Sequence, residues 1–347
     1  MKVQSPMDLS YSQNMEDMHL AAIFAGEAPG FYIDIGGGHP VADNVSFMAY
    51  LRGWRGLVVE PQAQLHRLYA AIRPRDTALD CLVGLRPGHA EFHAVDGLHG
   101  FSTMVESNAR GAAQFGASYA TQSRPVTTLA ALCDLHAPRR IDWLKIDVEG
   151  AEADVIAGHD WSRHRPRIVL VEAVAPGTME PSHESWEPLL LAEDYEPAFF
   201  DGLNRWYRAR EAMELAPRIP AAYQDWGTVR HLFDHGRAHE QTGHPDHVLA
   251  AALAGLDPTS LPLVDPATIF GFLTKNMTGE DMAAPAGREA LQRFAHLWLG
   301  AEIEHYEPGD LTGATLEQAL RAMMTTDMFR AALGRIAAAH DGGFIMD

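Results

Sequence analysis

Four acidic residues of this sequence each stand at the end of a short apolar segment that has the pattern of a strand. They are Asp34 after FYI, Glu60 after GLVV, Asp147 after WLKI and Glu172 after IVLV. Ligands of open α/β sheets bind at the carboxyl ends of the strands. Carboxylates at that edge can accept hydrogen bonds, bind a cation or take up a proton, so these four residues are the first candidates for chemistry.

A glycine-rich turn follows the first of these strands, in the stretch DIGGGHP. Glycines let the backbone approach a ligand closely. In a dinucleotide fingerprint that starts at Gly36, the third glycine would stand where Val41 is found, which disfavours NAD and FAD. A strand that ends in D-x-G-x-G suits an adenosyl cofactor without a phosphate, and the alternative is a purely structural turn. The cofactor candidates of this turn are Asp34, Gly36, Gly37 and Gly38.

Glu60 ends the next strand and is followed by Pro61. In this architecture an acidic residue at that position can accept hydrogen bonds from both hydroxyls of a ribose. The alternative is a strand end that faces solvent. Because the glycine turn accompanies it, we predict the ribose role for Glu60.

Asp147 and Glu172 end two consecutive strands, and adjacent parallel strands would bring their carboxylates close together. Two close carboxylates repel each other unless they share a proton, a cationic substrate or a metal ion. We therefore predict that this pair is catalytic, with His39 as a further candidate base, and that it would suit a divalent ion such as Mg²⁺. Glu149 and Glu152 are predicted to stabilise the start of the following helix through its dipole.

The segments between these residues alternate strand and helix patterns, which predicts an α/β fold with a mostly parallel, doubly wound sheet. A closing hairpin over 198–209 would add antiparallel strands at one edge. Lys145 is a charged residue in the middle of a buried strand, which this pattern does not explain. Helices are expected at 39–54, 62–72 and 126–136, and further strands at 78–84 and 91–95.

The composition changes after residue 216. Residues 217–227 are rich in proline and alanine and are predicted to be a linker between a domain at 1–216 and an all-helical domain at 228–347. The helical patterns of this second domain begin with residues 228–240. We expect the helical domain to mediate a homo-oligomer or to cover the substrate site.

The 347 residues include 27 basic and 46 acidic side chains, for a formal net charge of −19. Because the sequence has no long basic cluster, we expect no binding to nucleic acid or to an anionic membrane surface. No apolar run reaches the ~20 residues of a transmembrane helix, and residues 1–20 lack the apolar segment of a signal peptide. Cys81 and Cys133 are too few for a disulfide framework, which predicts buried thiols in a reducing cytoplasm.

Seven motifs, in order along the chain, resemble the FkbM family of S-adenosylmethionine-dependent methyltransferases. The resemblance spans roughly residues 10–210 and implies a class I methyltransferase fold, which is Rossmann-like, with S-adenosylmethionine as the cofactor. It also implies methylation of hydroxyl groups on sugars or natural products. The motifs are YSQNMEDMHL (11–20), GFYIDIGGGHP (30–40), RGWRGLVVEP (52–61), RPRD (73–76), GFSTM (100–104), LKIDVEGAE (144–152) and DGLNRWYRA (201–209).

The resemblance implies roles for individual residues. It places Asp80 and Val83 beside the adenine, and it implies that Tyr11, Ser12, Gln13 and Glu16 or Asp17 help to close the cofactor site. The sequence departs from the family at Gly37-Gly38-His39-Pro40, where many relatives have a bulkier residue and an acid before the proline. This departure leaves the role of His39 open. The predicted cofactor-binding residues are Gln13, Asp34, Gly36, Gly37, Gly38, Glu60, Pro61, Asp80, Val83 and Asp147.

Methyl transfer from a sulfonium is an in-line displacement that needs two positioned reactants and, for a hydroxyl acceptor, a base. We therefore expect an S-adenosylmethionine-dependent O-methyltransferase that acts on a sugar hydroxyl of a glycan or glycoconjugate. Asn204, Arg205 and Tyr207 are predicted substrate contacts, although packing of the edge hairpin would explain them equally well. Two other functions stay open: a methyltransferase for a small natural product or an amine, and a non-catalytic, cofactor-binding module of a glycan-synthesis complex.

Overall fold

The structure of the protein is a computed structural model that describes residues 9–95, 102–111, 117–175, 180–300 and 306–340. Its strands are β1 (Leu9–Ser10), β2 (Phe31–Ile35), β3 (Arg55–Val59), β4 (Thr77–Leu79), β5 (Leu82–Val83), β6 (Gly88–Val95), β7 (Tyr119–Thr127), β8 (Trp143–Ile146), β9 (Ile168–Glu172), β10 (Tyr195–Phe200), β11 (Asn204–Ala209) and β12 (Arg230–His231). Its helices are α1 (Glu16–Ile23), α2 (Phe47–Leu51), α3 (Ala63–Ile72), α4 (Glu106–Gly111), α5 (Leu129–His136), α6 (Glu152–Ala157), α7 (Glu187–Ala192), α8 (His247–Ala252), α9 (Pro266–Thr274), α10 (Gly279–Ala283), α11 (Arg288–Trp298), α12 (Leu316–Met324) and α13 (Asp327–Ala338). Within the described ranges, none of these helices combines the length and the apolar character that crossing a bilayer requires.

The main sheet of the described residues has seven strands in the order β10-β11-β9-β8-β2-β3-β4. The strands β9, β8, β2, β3 and β4 run parallel to one another. At the other edge, β11 pairs antiparallel with β9, and β10 pairs antiparallel with β11. The antiparallel hairpin predicted for 198–209 is therefore present. Because parallel strands end on the same side, the ends of β2, β3, β8 and β9 and the start of β11 form one continuous edge of the sheet.

Both faces of the main sheet are covered by other elements. Val169 and Leu170 follow each other on β9 and point to opposite faces, yet neither has exposed surface. Tyr32 and Trp143 stack across β2 and β8 with their ring centroids 4.8 Å apart. Parallel sheets that are buried in this way have strands of nearly continuous apolar sequence, which explains why the pattern of the central strands is easy to recognise.

A second sheet of three strands, in the order β5-β7-β6, stands beside the main sheet. The prediction of a single strand at 78–84 is wrong. The chain leaves the main sheet at Asp80 and Cys81, and as a result β4 pairs with β3 whereas β5 pairs with β7. Strand β7 has mostly exposed polar residues and no apolar alternation that could reveal it. Helix α5 begins at Leu129 rather than at 126, after Thr128, whose side chain caps it.

The helix expected at 39–54 is much shorter, since only α2 forms in this segment. His39 Nδ1 accepts hydrogen bonds from the amides of Val41 at 3.1 Å and Ala42 at 2.9 Å, and Asp43 has a left-handed backbone with a φ of 47°. Side chains that bond nearby backbone amides compete with helix formation. The residues between the glycine turn and α2 are therefore a loop.

The prediction of a helix at 228–240 is wrong as well. The segment begins with β12, which pairs in parallel with β1, and continues into a short 3-10 turn. His231 Nδ1 accepts a hydrogen bond from the amide of Phe233 at 3.0 Å, and Asp234 accepts one from the amide of His231 at 3.2 Å. These local bonds compete with an α-helix, and Gly236 follows with a φ of 64°. The part of the chain predicted to be all helical therefore starts with a strand.

The C-terminal helices pack on the α/β part through α13. A Cβ atom at Gly334 would lie 2.8 Å from a methyl group of Val41, and the hydroxyl of Tyr50 donates a hydrogen bond to Asp327 at 2.8 Å. The parts of the chain before and after 217–227 each have a buried core of their own, within residues 20–215 and 238–336. One buried cluster contains residues of both parts, among them Leu9, Leu65, Leu68, Ile72, Leu232, Ala331 and Ala338.

Candidate active site

A cleft opens at the carboxyl edge of the main sheet. It lies between the segment before α1, the loop before α2, the ends of β8 and β9, and the start of β11. These elements are brought together by the strand order, because β11 pairs with β9 in a register that places Asn204 opposite Glu172. The residues that line the cleft are Gln13, Glu16, Asp43, Val45, Lys145, Asp147, Glu172, Leu203 and Asn204.

Three carboxyl groups converge at the ends of β8 and β9, those of Asp147, Glu149 and Glu172, with one oxygen of each within 4.8 Å of the others. Of these, Asp147 and Glu172 line the cleft. Burial and then the charge of Asp147 raise the pKa of Glu172 and of Glu149 well above the usual range. Such a cluster is stable when it holds a proton or a cation. The atoms that the cluster offers to a ligand are all carboxylate oxygens, which suit a hard divalent ion or an amine. The predicted proximity of Asp147 and Glu172 is present, and Glu149 joins them.

Lys145 has a clear structural role in this arrangement. It stands opposite Asp34 in the register of β8 and β2, so the two side chains share one face of the sheet. Its Nζ atom lies 2.8 Å from Asp147 Oδ2 and 4.0 Å from Asp34 Oδ1. Burial by itself would lower the pKa of Lys145, but the charges of Asp147 and Asp34 outweigh it and raise the pKa. The buried lysine is thus the cation that balances two carboxylates.

The glycine turn passes directly over the end of β8. Gly36 has a φ of 79°, and a Cβ atom there would lie 1.7 Å from the carbonyl oxygen of Asp147, so that only glycine fits. The amides of Gly36 and Gly37 donate to Val59 O at 3.0 and 3.1 Å. Gly38 has open space beside it, since nothing lies within 4 Å of the place of a Cβ atom.

Buried polar side chains support this turn from behind. Asn44 and Tyr69 both donate hydrogen bonds to the carbonyl of Gly37, each at 2.8 Å. Arg73 donates to Asn44 Oδ1 at 2.9 Å and to Ser46 Oγ at 2.8 Å, and Ser46 donates to Asp34 at 2.7 Å. Arg73, in the RPRD motif, therefore connects the glycine turn to the acidic residue that precedes it.

Glu60 lies at the end of β3, next to the glycine turn. Its carboxyl oxygens accept hydrogen bonds from the amides of Gly38 at 2.9 Å and Gln62 at 2.7 Å. Burial is the main reason why the pKa of Glu60 rises to about 7. Each carboxyl oxygen can accept a further hydrogen bond, so the group can still receive the hydroxyls of a ribose.

The residues predicted beside the adenine lie further along the same edge. Asp80 follows β4 and is exposed, and its carbonyl accepts a hydrogen bond from Arg124 at 3.0 Å. Arg124 also donates to the carbonyl of Pro61. Val83 is buried in β5. The turn after β3 and the turn after β4 are thus joined by one arginine of β7.

The N-terminal signature is folded against the cleft. Asp17 accepts hydrogen bonds from the hydroxyls of Ser10 at 2.7 Å and Ser12 at 2.9 Å. Glu16 accepts one from Asn204 Nδ2 at 2.8 Å, and burial followed by the charge of Asp201 raises the pKa of Glu16 to about 7. Gln13 is exposed and lines the cleft, which places this segment at the cleft mouth.

The three residues predicted to contact the substrate lie on two opposite faces of β11. Asn204 faces the cleft, whereas Arg205 and Tyr207 point to the opposite face, where both donate to Glu187 Oε1 of α7 at 2.9 and 2.7 Å. Successive residues of a strand point to opposite faces, so the structure brings only Asn204 to the carboxyl cluster. His39 is buried in the loop after the glycine turn and is not among the residues that line the cleft.

Sequence reasoning misses the roles of three residues at the site. Glu149 is expected only at a helix start, and Lys145 is left unexplained although a lysine within a buried strand signals a nearby carboxylate. The position of Asp43 cannot be predicted from the sequence, because the loop that contains it has the apolar spacing of a helix. Glu152 is the first residue of α6, and its carboxylate accepts hydrogen bonds from the amides of Val148 at 3.2 Å and Gly150 at 2.9 Å in the loop ahead of the helix. Its stabilisation of the helix start through the dipole stays a prediction.

A family model for the "Methyltransferase FkbM domain" matches residues 34–197. The chain carries an FkbM methyltransferase domain. The matched range of this domain contains the glycine turn, Glu60 and the three carboxyl groups of the cluster, whereas Gln13, Asn204 and the C-terminal helices lie outside it. Neither the comparison with curated proteins nor the comparison with solved structures gave a match.

Proposed function

We propose that this chain is an S-adenosylmethionine-dependent O-methyltransferase that methylates a hydroxyl group of a sugar in a glycan or glycoconjugate. The observation that carries this proposal is the convergence of Asp147, Glu149 and Glu172 beside the glycine turn, with Asp147 and Glu172 lining the cleft. A hydroxyl acceptor needs a base next to the transferred methyl group. In an FkbM methyltransferase domain, this cluster is the best source of that base.

The residues around the glycine turn fit S-adenosylmethionine. Gly38 borders open space, Asp34 Oδ1 is buried without a hydrogen-bond partner in the described part of the chain, and Glu60 presents a carboxyl group one strand further on. These residues would hold the amino-acid and ribose parts, and Asp80 and Val83 would flank the adenine. When bound, this cofactor supplies a methyl group on a positively charged sulfur.

Asp147 is the proposed base. Its ion pair with Lys145 holds the carboxylate at the end of β8 in a fixed orientation, where it can accept the proton of an acceptor hydroxyl. Glu172 keeps its proton more readily because of burial and the charge of Asp147, so that it can donate a hydrogen bond to the acceptor oxygen. A positioned base contributes about 10²–10⁴-fold to such a transfer.

The same carboxyl groups suit a divalent ion. Asp147 and Glu172, with Glu149, offer the oxygen ligands that Mg²⁺ prefers. A bound Mg²⁺ would lower the pKa of an acceptor hydroxyl. If the ion takes part, turnover is lost in EDTA and restored by Mg²⁺, whereas turnover that survives exhaustive chelation would remove the metal from the proposal.

Methyl transfer to glycan fractions, detected by mass, tests the proposed function. We expect Asp147→Asn to bind S-adenosylmethionine normally and to lose about 100-fold or more of its turnover. Asp154→Asn is a matched control, because this exposed aspartate of α6 lies outside the cleft. Full turnover of a folded Asp147→Asn protein would refute the catalytic assignment.

A second candidate is methyl transfer to an amine. It is favoured by the charge of the cleft, where Lys145 is accompanied by four carboxyl groups, those of Glu16, Asp43, Asp147 and Glu172. These groups can bind an amine acceptor and take up its proton, which must leave before the nitrogen can accept the methyl group. Fragmentation of the methylated product locates the methyl group on oxygen or on nitrogen and decides between the two. Cofactor binding with no transfer to either would indicate an assembly module.

A further inference from the structure

The loop that follows β8 has an unusual backbone at Glu149. This residue has a φ of 56°, a left-handed conformation that residues other than glycine rarely adopt. The loop carries Asp147 and Glu149 into the carboxyl cluster. On one side it is held by Glu152, which accepts hydrogen bonds from the amides of Val148 and Gly150.

On its other side the loop is held by a different part of the fold. The carbonyl oxygen of Glu149 accepts two side-chain hydrogen bonds, from Thr103 Oγ1 at 2.8 Å and from Asn108 Nδ2 at 2.8 Å. Neither donor belongs to the main sheet. Two neutral donors on one carbonyl fix the orientation of that peptide group more firmly than one donor does.

Both donors are themselves fixed. Thr103 pairs with His93 of β6 through two backbone hydrogen bonds, at 2.9 and 3.2 Å, and its hydroxyl accepts one from the amide of Val105 at 2.9 Å. Asn108 lies in α4, where its amide donates to Val105 O at 2.9 Å. Strand β6, residues 102–105 and α4 thus hold both donors against the loop.

We propose that Thr103 and Asn108 are positioning residues that hold the Glu149 backbone in its left-handed conformation and so keep the Glu149 carboxyl group in the cluster with Asp147 and Glu172. Glu149 Oε2 is buried without a hydrogen-bond partner in the described part of the chain. No bond to that oxygen therefore anchors the side chain, and its place depends on the backbone. The consequence for turnover rests on the proposed function, whereas the consequence for the Glu149 conformation does not.

The test is the double variant Thr103→Val/Asn108→Ala, which removes both donors. We expect its crystal structure to show Glu149 outside the left-handed region, with the carboxyl group away from Glu172. We expect kcat to fall about tenfold to a hundredfold, as for other misplaced catalytic groups, with an unchanged Kd for S-adenosylmethionine. The single variant Thr103→Ser keeps a hydroxyl at position 103 and leaves Asn108 in place, so we expect it to have the kcat of the wild-type protein.

Thr121→Val is the matched control. This threonine of β7 forms a hydrogen bond with His93 Nδ1 at 2.9 Å, and within the described part of the chain its hydroxyl does not bond the loop, so we expect wild-type kcat. A double variant that keeps Glu149 left-handed, or a Thr121→Val protein that loses as much kcat, overturns the proposal. If the wild-type protein transfers no methyl group to any acceptor, the proposed function fails, and the crystal structure of the double variant still decides the positioning role.

Discussion

At the scale of single residues, the electrostatics of the cleft depends on Lys145. It balances Asp34, which has 1% of its side-chain surface exposed, and Asp147, which has 27% exposed. An ion pair of this kind contributes little when compared with apolar side chains of the same size, but removal of one partner leaves a buried charge without compensation. The lysine therefore supports both the fold and the orientation of the proposed base.

We expect Lys145→Met to lower the free energy of unfolding by about 3–5 kcal/mol at neutral pH, because Asp34 and Asp147 then lose the ammonium group that lies between them. The loss should shrink as the pH falls, since protonation removes the uncompensated charge. Urea unfolding measures both effects. The exposed Lys275 provides the control, and Lys275→Met should change the stability by less than about 0.5 kcal/mol. Equal stability of the two variants at neutral pH would contradict the role of Lys145.

The raised pKa of Glu60 predicts a pH dependence of cofactor binding. In the folded protein the pKa is about 7 rather than 4.5, mainly because of burial, so the group is largely neutral at pH 6 and largely ionised at pH 8. Ribose hydroxyls donate to the ionised carboxylate more strongly. The affinity for S-adenosylmethionine should therefore rise with pH, by up to about tenfold between pH 6 and pH 8.

Isothermal titration at the two pH values tests this prediction, with Glu60→Gln as the control that should remove most of the dependence. Glu16 also has a pKa near 7, so a dependence that persists in Glu60→Gln would assign the effect to another group. The effect on folding has the opposite sign. Since the folded-state pKa is raised, the stability contributed by Glu60 is complete below about pH 4.5 and is lost as the pH rises through 7.

At the scale of elements, the loop after the glycine turn is positioned by a helix from the far end of the chain. Helix α13 lies against α3, and Gly334 allows this close approach because its missing side chain leaves room for Val41 and Ile72. Val41 belongs to the same loop as His39 and Asp43. Only one layer of side chains therefore separates α13 from the wall of the cleft.

Alanine substitutions at two glycines within helices should have different effects on the stability of the protein. Gly334→Ala places a Cβ atom 2.8 Å from Val41 and 3.0 Å from Ile72, whereas nothing lies within 4 Å of a Cβ atom at Gly271 in α9. Alanine is the better helix former by about 1 kcal/mol, and overpacking opposes this by about 1–3 kcal/mol at position 334 only. Denaturant unfolding should show that Gly271→Ala is the more stable variant by about 1–3 kcal/mol. The reverse order would mean that α13 does not pack closely on α3.

At the scale of the whole molecule, the FkbM domain and the C-terminal helices share part of their interior. The buried cluster that joins them combines the apolar face of α3 with residues of α13 and with Leu232. In addition, β12 pairs with β1, which ties the N-terminal segment at the cleft mouth to the chain beyond the FkbM domain. The C-terminal part is thus a structural support of the cleft.

We expect a fragment of residues 1–216 to lose cooperative unfolding, because it exposes the face of α3 that α13 covers in the full chain. Calorimetry and the binding of a hydrophobic dye compare the fragment with the full chain. The expected result is a broad transition, strong dye binding and weak binding of S-adenosylmethionine. A fragment that unfolds cooperatively and binds the cofactor as the full chain does would show that residues 1–216 form an independent domain.

The sequence by itself determined the strand ends and the glycine turn. Asp34, Glu60, Asp147 and Glu172 follow short apolar runs, and parallel order places such ends on one edge of a sheet. These features are local, since apolar runs, glycines and acidic residues act within a few positions. The short central strands were predictable for the same reason.

Only the tertiary structure decided which side chains meet. The register of β11 separates Asn204 from Arg205 and Tyr207, and that of β8 gives Lys145 its partner in Asp34. Glu149 enters the cluster through a backbone conformation held by residues about 40 positions away. The direction of a side chain depends on strand register and on contacts between distant segments, and neither is written in the local pattern of the sequence.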